Sequence, residues 1–140
     1  MEGGERAVKQ EITTSWQVGG HYSHGILANG MVFVAGQTAG TPGSRELSRM
    51  DIAEQTASCI DRIRQVLESA GASLVHVVKT TCYLADIRDF QIFDQAYRRE
   101  FHGVPPARST IQVGKFPEGL LVEIEAIAVL PTSVRPEGSQ

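Results

Sequence analysis

The sequence contains little that would place this protein outside the ordinary class of soluble globular domains. It has only two cysteines among 140 residues, and no apolar run approaches the roughly 20 residues that a membrane-spanning helix needs. The opening stretch, MEGGERAVKQE, lacks the apolar core of a signal peptide. A chain of this size can form one hydrophobic core but not two ordinary domains. We therefore expect one cytoplasmic domain with no membrane partner.

Positive charge is also scarce. The 13 Lys and Arg residues are outnumbered by 16 Asp and Glu residues, so that the formal net charge is -3. No cluster of Lys and Arg forms a basic stripe along the chain. Nucleic-acid binding depends on such a stripe, because the phosphate backbone supplies most of the attraction. We do not expect nucleic acid as a main partner.

The residues that most often bind metal ions are few and widely spaced. Cys59 and Cys82 lie in apolar sequence without CxxC spacing, which favours buried free thiols over a disulfide or a metal pair. Among the four histidines only His21 and His24 are close together, and HYSH is not the helical HExxH pattern of a zinc hydrolase. We expect no metal site. For both of these histidines we expect a solvated or hydrogen-bonded structural role, and contact with a substrate is the alternative.

Strand and helix patterns alternate through the interior of the chain. The Asn29-Gly30 pair between two apolar runs predicts a hairpin. Apolar residues that recur every three or four positions predict a helix from Asp51 to about Ala70. In order, the predicted elements are strands at 25–27 and 31–35, a helix at 51–70, a strand at 77–85, a helix at 89–101 and strands at 107–113 and 121–129. This order predicts an α+β fold in which two helices pack on one face of a mixed sheet.

Polar segments bound this domain and interrupt it once. Residues 1–11 and 131–140 are predicted to be flexible, so that the single domain covers residues 12–130. Gly, Pro and Ser make residues 38–49 a predicted surface loop. The loop directly follows a strand, which favours a position near a site.

The last two predicted strands carry charged side chains within apolar sequence. Alternation gives the final strand one small, apolar face that suits packing beneath helices, and a second face with Glu123 and Glu125. If the two strands pair as a hairpin, Arg108 and Thr110 share this second face. Such a mixed face is typical of a subunit interface around a polar pocket. The alternative is an exposed cross-strand ion pair, which contributes little to stability.

Several motifs resemble those of one known family. PPARSTIQV followed by VEIEAIAV is similar to the C-terminal part of the RidA/YjgF family of enamine and imine deaminases. HYSHG, VFVAGQT and VVKTTCYLADIRDF add to the likeness, which spans about Tyr22 to Val129. The resemblance implies a chorismate-mutase-like fold whose sheets assemble into a homotrimeric barrel, with a site at each subunit interface.

The resemblance also implies an activity and its residues. The implied reaction hydrolyses a reactive 2-amino- or 2-imino-carboxylic acid to a 2-oxo acid and ammonia, with no cofactor. Arg108 would bind the substrate carboxylate, Glu123 would position and polarise a water, and Tyr22 would close the pocket. The implied substrate-binding residues are Arg108, Ala35, Gly36, Asp94 and Thr110, with Gly36 and Thr110 acting through their backbone N–H groups.

The sequence departs from the family pattern in the implied pocket wall. Thr110 stands where the archetype often has Cys, and Ala35 stands where it has Ser. His21 and His24 replace Pro and Gln of a GPYSQA-type segment. These changes leave open a pathway-specific relative, such as a 2-aminomuconate deaminase or a cyclising enzyme. A non-catalytic protein that binds small carboxylates and an RNA-cleaving enzyme are the remaining alternatives.

Overall fold

The computed structural model describes residues 8–131, in which a six-stranded sheet carries two long helices on one of its faces. The strands are β1 (Gln10–Ile12), β2 (Gly25–Ala28), β3 (Met31–Gln37), β4 (Val77–Leu84), β5 (Ala107–Gln112) and β6 (Val122–Val129). The helices are α1 (Arg45–Ser48), α2 (Ile52–Ser69) and α3 (Phe90–Glu100), with 3-10 turns at Leu74–His76 and Ile87–Asp89. The predicted α+β fold with a mixed sheet is confirmed. Residues 1–7 and 132–140 of the predicted flexible segments lie outside the described residues.

Helix α2 forms where the sequence pattern predicts it. Asp51 accepts a hydrogen bond from the Glu54 N–H, and the Glu54 side chain accepts one from the Asp51 N–H, so that a capping box fixes the helix start. The apolar face of the helix is fully buried against β3 and β6. The predicted hairpin is also present, because Asn29 and Gly30 both adopt positive φ between β2 and β3.

One buried amide connects α2 to two loops. Gln55 donates to the carbonyl oxygens of Met50 at 3.3 Å and Gly119 at 3.0 Å, and it accepts from the Leu121 N–H at 3.0 Å. Its side chain is fully buried. These bonds satisfy an amide that would otherwise be costly to bury, and they fix the start of β6 against the helix.

Two elements differ from the predicted order. Strand β1 pairs with β2 and was not predicted, since only Ile12 of its three residues is buried and no alternating pattern is visible. Residues 38–49 were predicted to be a loop, but they include α1. Ser44 caps this single turn, and its Leu47 is buried. A helix of four residues is too short to show a periodic pattern.

The last two strands do not pair as a hairpin, so the condition for a shared face of Arg108, Glu123 and Glu125 is not met. β5 pairs in parallel with β4, whereas β6 lies between β3 and β4 and is antiparallel to both. Helix α3 supplies the crossover that a parallel pair requires. Because Arg108 is opposite Thr80 and Thr110 is opposite Cys82, both lie on the helix-covered face. Glu123 and Glu125 therefore do not share a face with Arg108, contrary to the expectation.

The two thiols are buried and free, as predicted. Burial raises the pKa of both, that of Cys82 to about 11. Within residues 8–131, no three His, Cys, Asp or Glu side chains are grouped so that they could hold a metal ion. Over the same range, no helix is long and apolar enough to cross a membrane.

Candidate active site

Glu123 lies in a cleft of about 600 Å³ beside the end of β3, which we call the Glu123 cleft. The cleft is lined by Trp16, Gln17, Gly19, Tyr22, His24, Ala35, Gly36, Gln37, Thr38, Gly40, Thr41, Pro42, Arg62, Pro117, Leu120 and Glu123. Three of the implied substrate-site residues, Tyr22, Ala35 and Gly36, are thus beside Glu123. A volume in this range suits a small organic ligand.

A β-bulge brings the backbone of Gly36 next to the Glu123 carboxylate. The pairing of β3 with β6 shifts between Val34 and Gln37, which leaves one extra residue on β3. A Cβ atom at Gly36 would overlap Oε2 of Glu123. Glycine at this position therefore permits the close approach of the carboxylate to the backbone.

The surroundings of Glu123 raise its pKa above the ordinary value. Burial is the larger cause, since it disfavours the charged form, and the negative charge of Glu125 adds to it. Glu125 itself is exposed and accepts a hydrogen bond from the Tyr83 hydroxyl at 3.0 Å. The two glutamates of β6 thus have different environments, and the half-buried Glu123 is the one whose pKa is raised.

Tyr22 lies at the opening of the Glu123 cleft. The residue is 52% exposed, and its hydroxyl accepts a hydrogen bond from the Gly19 N–H at 3.2 Å. Ala35, on the bulge, lines the same cleft with a methyl group. Tyr22 is therefore in a position to cover a ligand beside Ala35 and Glu123, although within one chain its side chain is largely in solvent.

Arg108 lies in a second cleft, of about 520 Å³, which we call the Arg108 cleft. Its Cζ lies 4.7 Å from the ring centroid of Tyr97 and 5.3 Å from those of Phe90 and Phe93, so that the planar guanidinium is held against aromatic residues of α3. Nη1 donates to Oδ1 of Asp94 at 2.8 Å. The rest of its donor fork has no partner among the described residues and suits a carboxylate.

The remaining predicted residues lie near Arg108. Asp94 also accepts from Arg98 at 3.1 Å, and its pKa is lowered, chiefly by the hydrogen bond from Arg108. Asp94 thus orients the guanidinium. Thr110, two residues along β5, is half-buried on the same face as Arg108. Beneath them the Tyr97 and Thr80 hydroxyls share a hydrogen bond of 2.7 Å, which completes the polar contacts of this buried region.

The predicted site residues fall into two groups. Tyr22, Ala35, Gly36 and Glu123 line one cleft, whereas Asp94 and Arg108 line the other. Glu123 is opposite Tyr83 on the helix-free face, and Arg108 lies against α3 on the covered face. One chain therefore does not bring the guanidinium and the Glu123 carboxylate to a common ligand.

The two histidines of HYSH have separate environments. His24 is buried, and its Nε2–H donates to the Trp16 carbonyl at 2.8 Å, which leaves Nδ1 without a partner among residues 8–131. His21 is exposed and lines a neighbouring hollow with Lys9 and Glu11. The hydrogen bond and burial of His24 agree with the structural role predicted for it.

Trp16 and Arg62 also line the Glu123 cleft, and the sequence pattern did not indicate them. The Cζ atom of Arg62 lies 5.3 Å from the centroid of the Trp16 ring. Arg62 follows the core residue Cys59 by three positions and precedes Val66 by four, so it borders the buried stripe of α2. A charged residue at the edge of the buried stripe of a helix is the feature of the sequence that indicates Arg62.

Comparison with known proteins gives consistent matches. The family profile described as endoribonuclease L-PSP matches residues 13–130. A RutC family protein of Pyrococcus abyssi is 43% identical over 109 residues, which cover 78% of this chain and 86% of that protein. The 2-iminobutanoate/2-iminopropanoate deaminase of Homo sapiens is 34% identical over 124 residues, 87% of this chain and 90% of the relative.

Solved structures of other proteins have a fold similar to that of this chain. The YjgF gene product of E. coli has a TM-score of 0.74 and 29% identity, with 86% of this chain and 98% of that chain covered. E. coli TdcF with bound serine has a TM-score of 0.75 and 28% identity, with 87% and 99% covered. The fold, the family profile and the relatives together show that this chain belongs to the endoribonuclease L-PSP family, also called the RidA/YjgF family.

Proposed function

We propose that this protein hydrolyses the imine or enamine form of a 2-amino acid to a 2-oxo acid and ammonia. The observation that carries this proposal is the half-buried Glu123 carboxylate, whose pKa is raised where it lies against the Gly36 backbone. A carboxylate of this kind is suited to accept a proton from water near neutral pH. The name of the human relative, an iminobutanoate and iminopropanoate deaminase, supports the same reaction class.

We further propose that each active site forms between two chains of a homotrimer. A site that uses both Arg108 and Glu123 needs a second chain, because these residues lie on opposite faces of one sheet. The helix-free face supports such assembly, since Phe33, Ile111 and Val129 are 40%, 48% and 43% exposed there. The number three comes from the family resemblance. Light scattering should give a mass near three chains, and a monomer at micromolar concentration would contradict the shared site.

In the proposed site, Arg108 binds the substrate carboxylate through the part of its fork that Asp94 leaves free. An enamine first takes a proton on carbon and becomes a protonated imine. Glu123 accepts a proton from a water as the water oxygen bonds to the imine carbon, which gives a carbinolamine. Glu123 then returns its proton to the amine nitrogen. As the C–N bond breaks, the carbinolamine hydroxyl gives its proton to water and its oxygen becomes the carbonyl oxygen, so that ammonia leaves and the 2-oxo acid remains.

The other groups orient this reaction. The N–H groups of Gly36 and, from the adjoining chain, Thr110 would donate hydrogen bonds to the substrate, while Tyr22 covers the opening. Water and protein groups supply every proton that the scheme moves. Holding the water and the imine together in one site lowers the entropic cost of the reaction. A positioned base typically increases the reaction rate about 10²- to 10⁴-fold.

Ribonuclease activity, which the family description suggests, has less support in this chain. His24 is buried, and His76 accepts the Ser73 N–H at 2.9 Å, so that these two histidines are occupied in local structure. The net charge of -3 also disfavours attraction to RNA. We therefore treat RNA cleavage as an outcome to be assayed beside deamination.

The direct test generates imines in situ with an amino acid oxidase in the presence of semicarbazide. Semicarbazide traps the imine, so a deaminase reduces the yield of semicarbazone while the 2-oxo acid and ammonia rise. Wild-type protein should reduce the trapped fraction in proportion to its concentration, and heat-denatured protein should not. Equal trapping with and without native protein for alanine, leucine, methionine and acidic substrates would contradict the proposed activity.

A further inference from the structure

The lining of the Glu123 cleft includes a positively charged residue that the proposed mechanism does not use. This residue is Arg62, from α2, which lines the cleft together with Trp16 and Glu123. The cleft has about 600 Å³. The six heavy atoms of 2-iminopropanoate take up about 180 Å³ even at the roughly 30 Å³ of a liquid water each. The cleft therefore has room for a longer substrate than 2-iminopropanoate.

The guanidinium of Arg62 is held in place without being neutralised. It stacks at 5.3 Å on Trp16, and Trp16 is fixed in turn by the His24 ring at 4.8 Å and by the hydrogen bond from His24 to its carbonyl. Arg62 has no hydrogen bond or ion pair to another residue within 8–131. Two positions along the same helix, Arg64 is bound by Asp61 and Glu68. The charge of Arg64 is thus compensated by neighbouring carboxylates, whereas the charge of Arg62 remains available to a ligand.

Glu123 does not neutralise Arg62 across the cleft. No hydrogen bond or ion pair joins the two side chains within residues 8–131. Asp61, the adjacent acidic residue on α2, is hydrogen-bonded by Arg64 and Gln65. The hydrogen bond from Arg64 is the largest cause that lowers the pKa of Asp61, and the charge of Arg62 is the smallest. The guanidinium of Arg62 therefore lines the cleft without an ion pair to either carboxylate.

We propose that Arg62 binds a second acidic group at the far end of the substrate, so that the preferred substrates are imino or enamino diacids. One carboxylate would lie on Arg108 of the adjoining chain and the other on Arg62, with the reacting carbon beside Glu123. A guanidinium on an aromatic ring is well suited to a carboxylate, because its planar fork is already oriented. Thr41, from the loop after β3, lines the same cleft. This inference rests on the proposed deaminase function.

A matched pair of substrates tests the inference. The imines formed from 2-aminoadipate and norleucine have the same six-carbon chain and differ in the distal carboxylate. Wild-type protein should have a kcat/KM at least tenfold higher for the diacid. Arg62→Gln, which keeps most of the side-chain stem, should remove this preference by lowering kcat/KM for the diacid about tenfold or more, while the norleucine imine stays within about twofold.

Two controls make the result specific. Arg64→Gln removes an arginine from the outer side of the same helix. It should leave kcat/KM unchanged for both substrates. Arg62→Lys keeps the charge without the fork, and it should keep part of the preference for the diacid even if Arg62→Gln folds poorly. Equal losses on both substrates with Arg62→Gln, or a wild-type preference for the norleucine imine, would show that Arg62 only packs against Trp16.

Binding of stable 2-oxo acids separates this inference from the deaminase proposal. If wild-type protein hydrolyses neither these two imines nor those of the semicarbazide assay, the proposed function fails, and calorimetry with 2-oxoadipate and 2-oxohexanoate still tests Arg62. At least tenfold tighter binding of 2-oxoadipate that is lost in Arg62→Gln would support the distal carboxylate site. Equal binding of the two oxo acids by wild-type protein would overturn it.

Discussion

Arg108 and Glu123 of one chain lie on opposite faces of the same sheet, Arg108 against the aromatic side chains of α3 and Glu123 against the bulge of β3. Neither cleft contains both groups. A reaction that needs a carboxylate-binding guanidinium and a base therefore requires two chains, and this requirement can be tested without a structure of the assembly.

Complementation between two inactive variants is the sharpest test of shared sites. Arg108→Ala and Glu123→Gln, each inactive alone, should regain activity when they are co-expressed in equal amounts. Each mixed site needs an intact Arg108 from one chain and an intact Glu123 from its neighbour, so random assembly leaves about one site in four complete. Recovery near a quarter of wild-type kcat is expected from the whole co-expressed population, and near a third from trimers that contain both variants. No recovery in mixed oligomers would place each site within one chain.

Arg108→Lys should lower kcat/KM by more than tenfold while the protein stays folded. Lysine keeps the charge near Asp94, but it loses the planar fork and the stacking on α3. The measurement is steady-state hydrolysis beside a thermal midpoint. Arg98→Lys is the matched control, since Arg98 is the other partner of Asp94 and is largely exposed; its kcat/KM should stay within about twofold.

Glu123→Gln should lower kcat by more than tenfold and also change the pH dependence of stability. Because the pKa of Glu123 in the fold lies above its unfolded value, the contribution of this group to stability is full below the unfolded value and is lost as the pH rises through the folded pKa. The Gln variant should therefore gain in thermal midpoint relative to wild type at pH 8 but not at pH 4.

Glu125→Gln provides the comparison for Glu123→Gln. Glu125 accepts from Tyr83 on the helix-free face, so its loss should affect assembly or stability more than turnover. Turnover, oligomer mass and thermal midpoint would be measured for both variants. A trimeric Glu123→Gln protein with wild-type turnover would remove Glu123 from the mechanism.

Gly36→Ala should displace the Glu123 carboxylate, since the added methyl group overlaps its Oε2 atom. We expect more than a tenfold loss of kcat and a loss of about 1–3 kcal/mol in the free energy of unfolding. Gly114→Ala is the control, because a Cβ atom there has no neighbour within 4 Å. Its stability should change by less than about 0.5 kcal/mol. Wild-type kinetics for Gly36→Ala would show that catalysis does not depend on the close contact between the Glu123 carboxylate and the Gly36 backbone.

Phe33→Lys should weaken assembly, because Phe33 is an exposed aromatic residue on the helix-free face. A charge there would be buried without a partner in the proposed interface. Light scattering over a dilution series should show smaller species, with hydrolysis falling in parallel. Val75→Lys, at an exposed position in the 3-10 turn before β4, should leave the mass unchanged. Equal masses for both variants would place the interface elsewhere.

Local patterns in the sequence predicted the elements well because each has a local cause. The three- and four-residue spacing of α2 and the Asn29-Gly30 turn specify their structures without reference to distant residues. Strand β1 is not specified by its own residues, since it is short and polar and is stabilised by pairing with β2. Because this pairing involves residues that are distant in sequence, a local pattern does not predict it.

The faces of the site residues were harder to predict than the residues themselves. Alternation shows that Arg108 and Thr110 share a face, but it does not say which side of the sheet that face is on. The helix between β4 and β5 is the feature of the sequence that favours parallel pairing of these two strands. Arg62 had no motif of its own, because its importance comes from Trp16, which is 46 positions away in sequence and in contact in space.

The hydrogen bonds of Gln55 have a consequence for opening of the Glu123 cleft. The loop after β3 and the loop before β6 are joined by the bond from the Gly43 N–H to the Glu118 carbonyl, and Gln55 fastens the second of these loops to α2 at Gly119 and Leu121. Neither loop can swing outward alone without breaking bonds of the other. In hydrogen–deuterium exchange, the amides of Gly43 and Leu121 should therefore exchange with similar protection, as one cooperative unit.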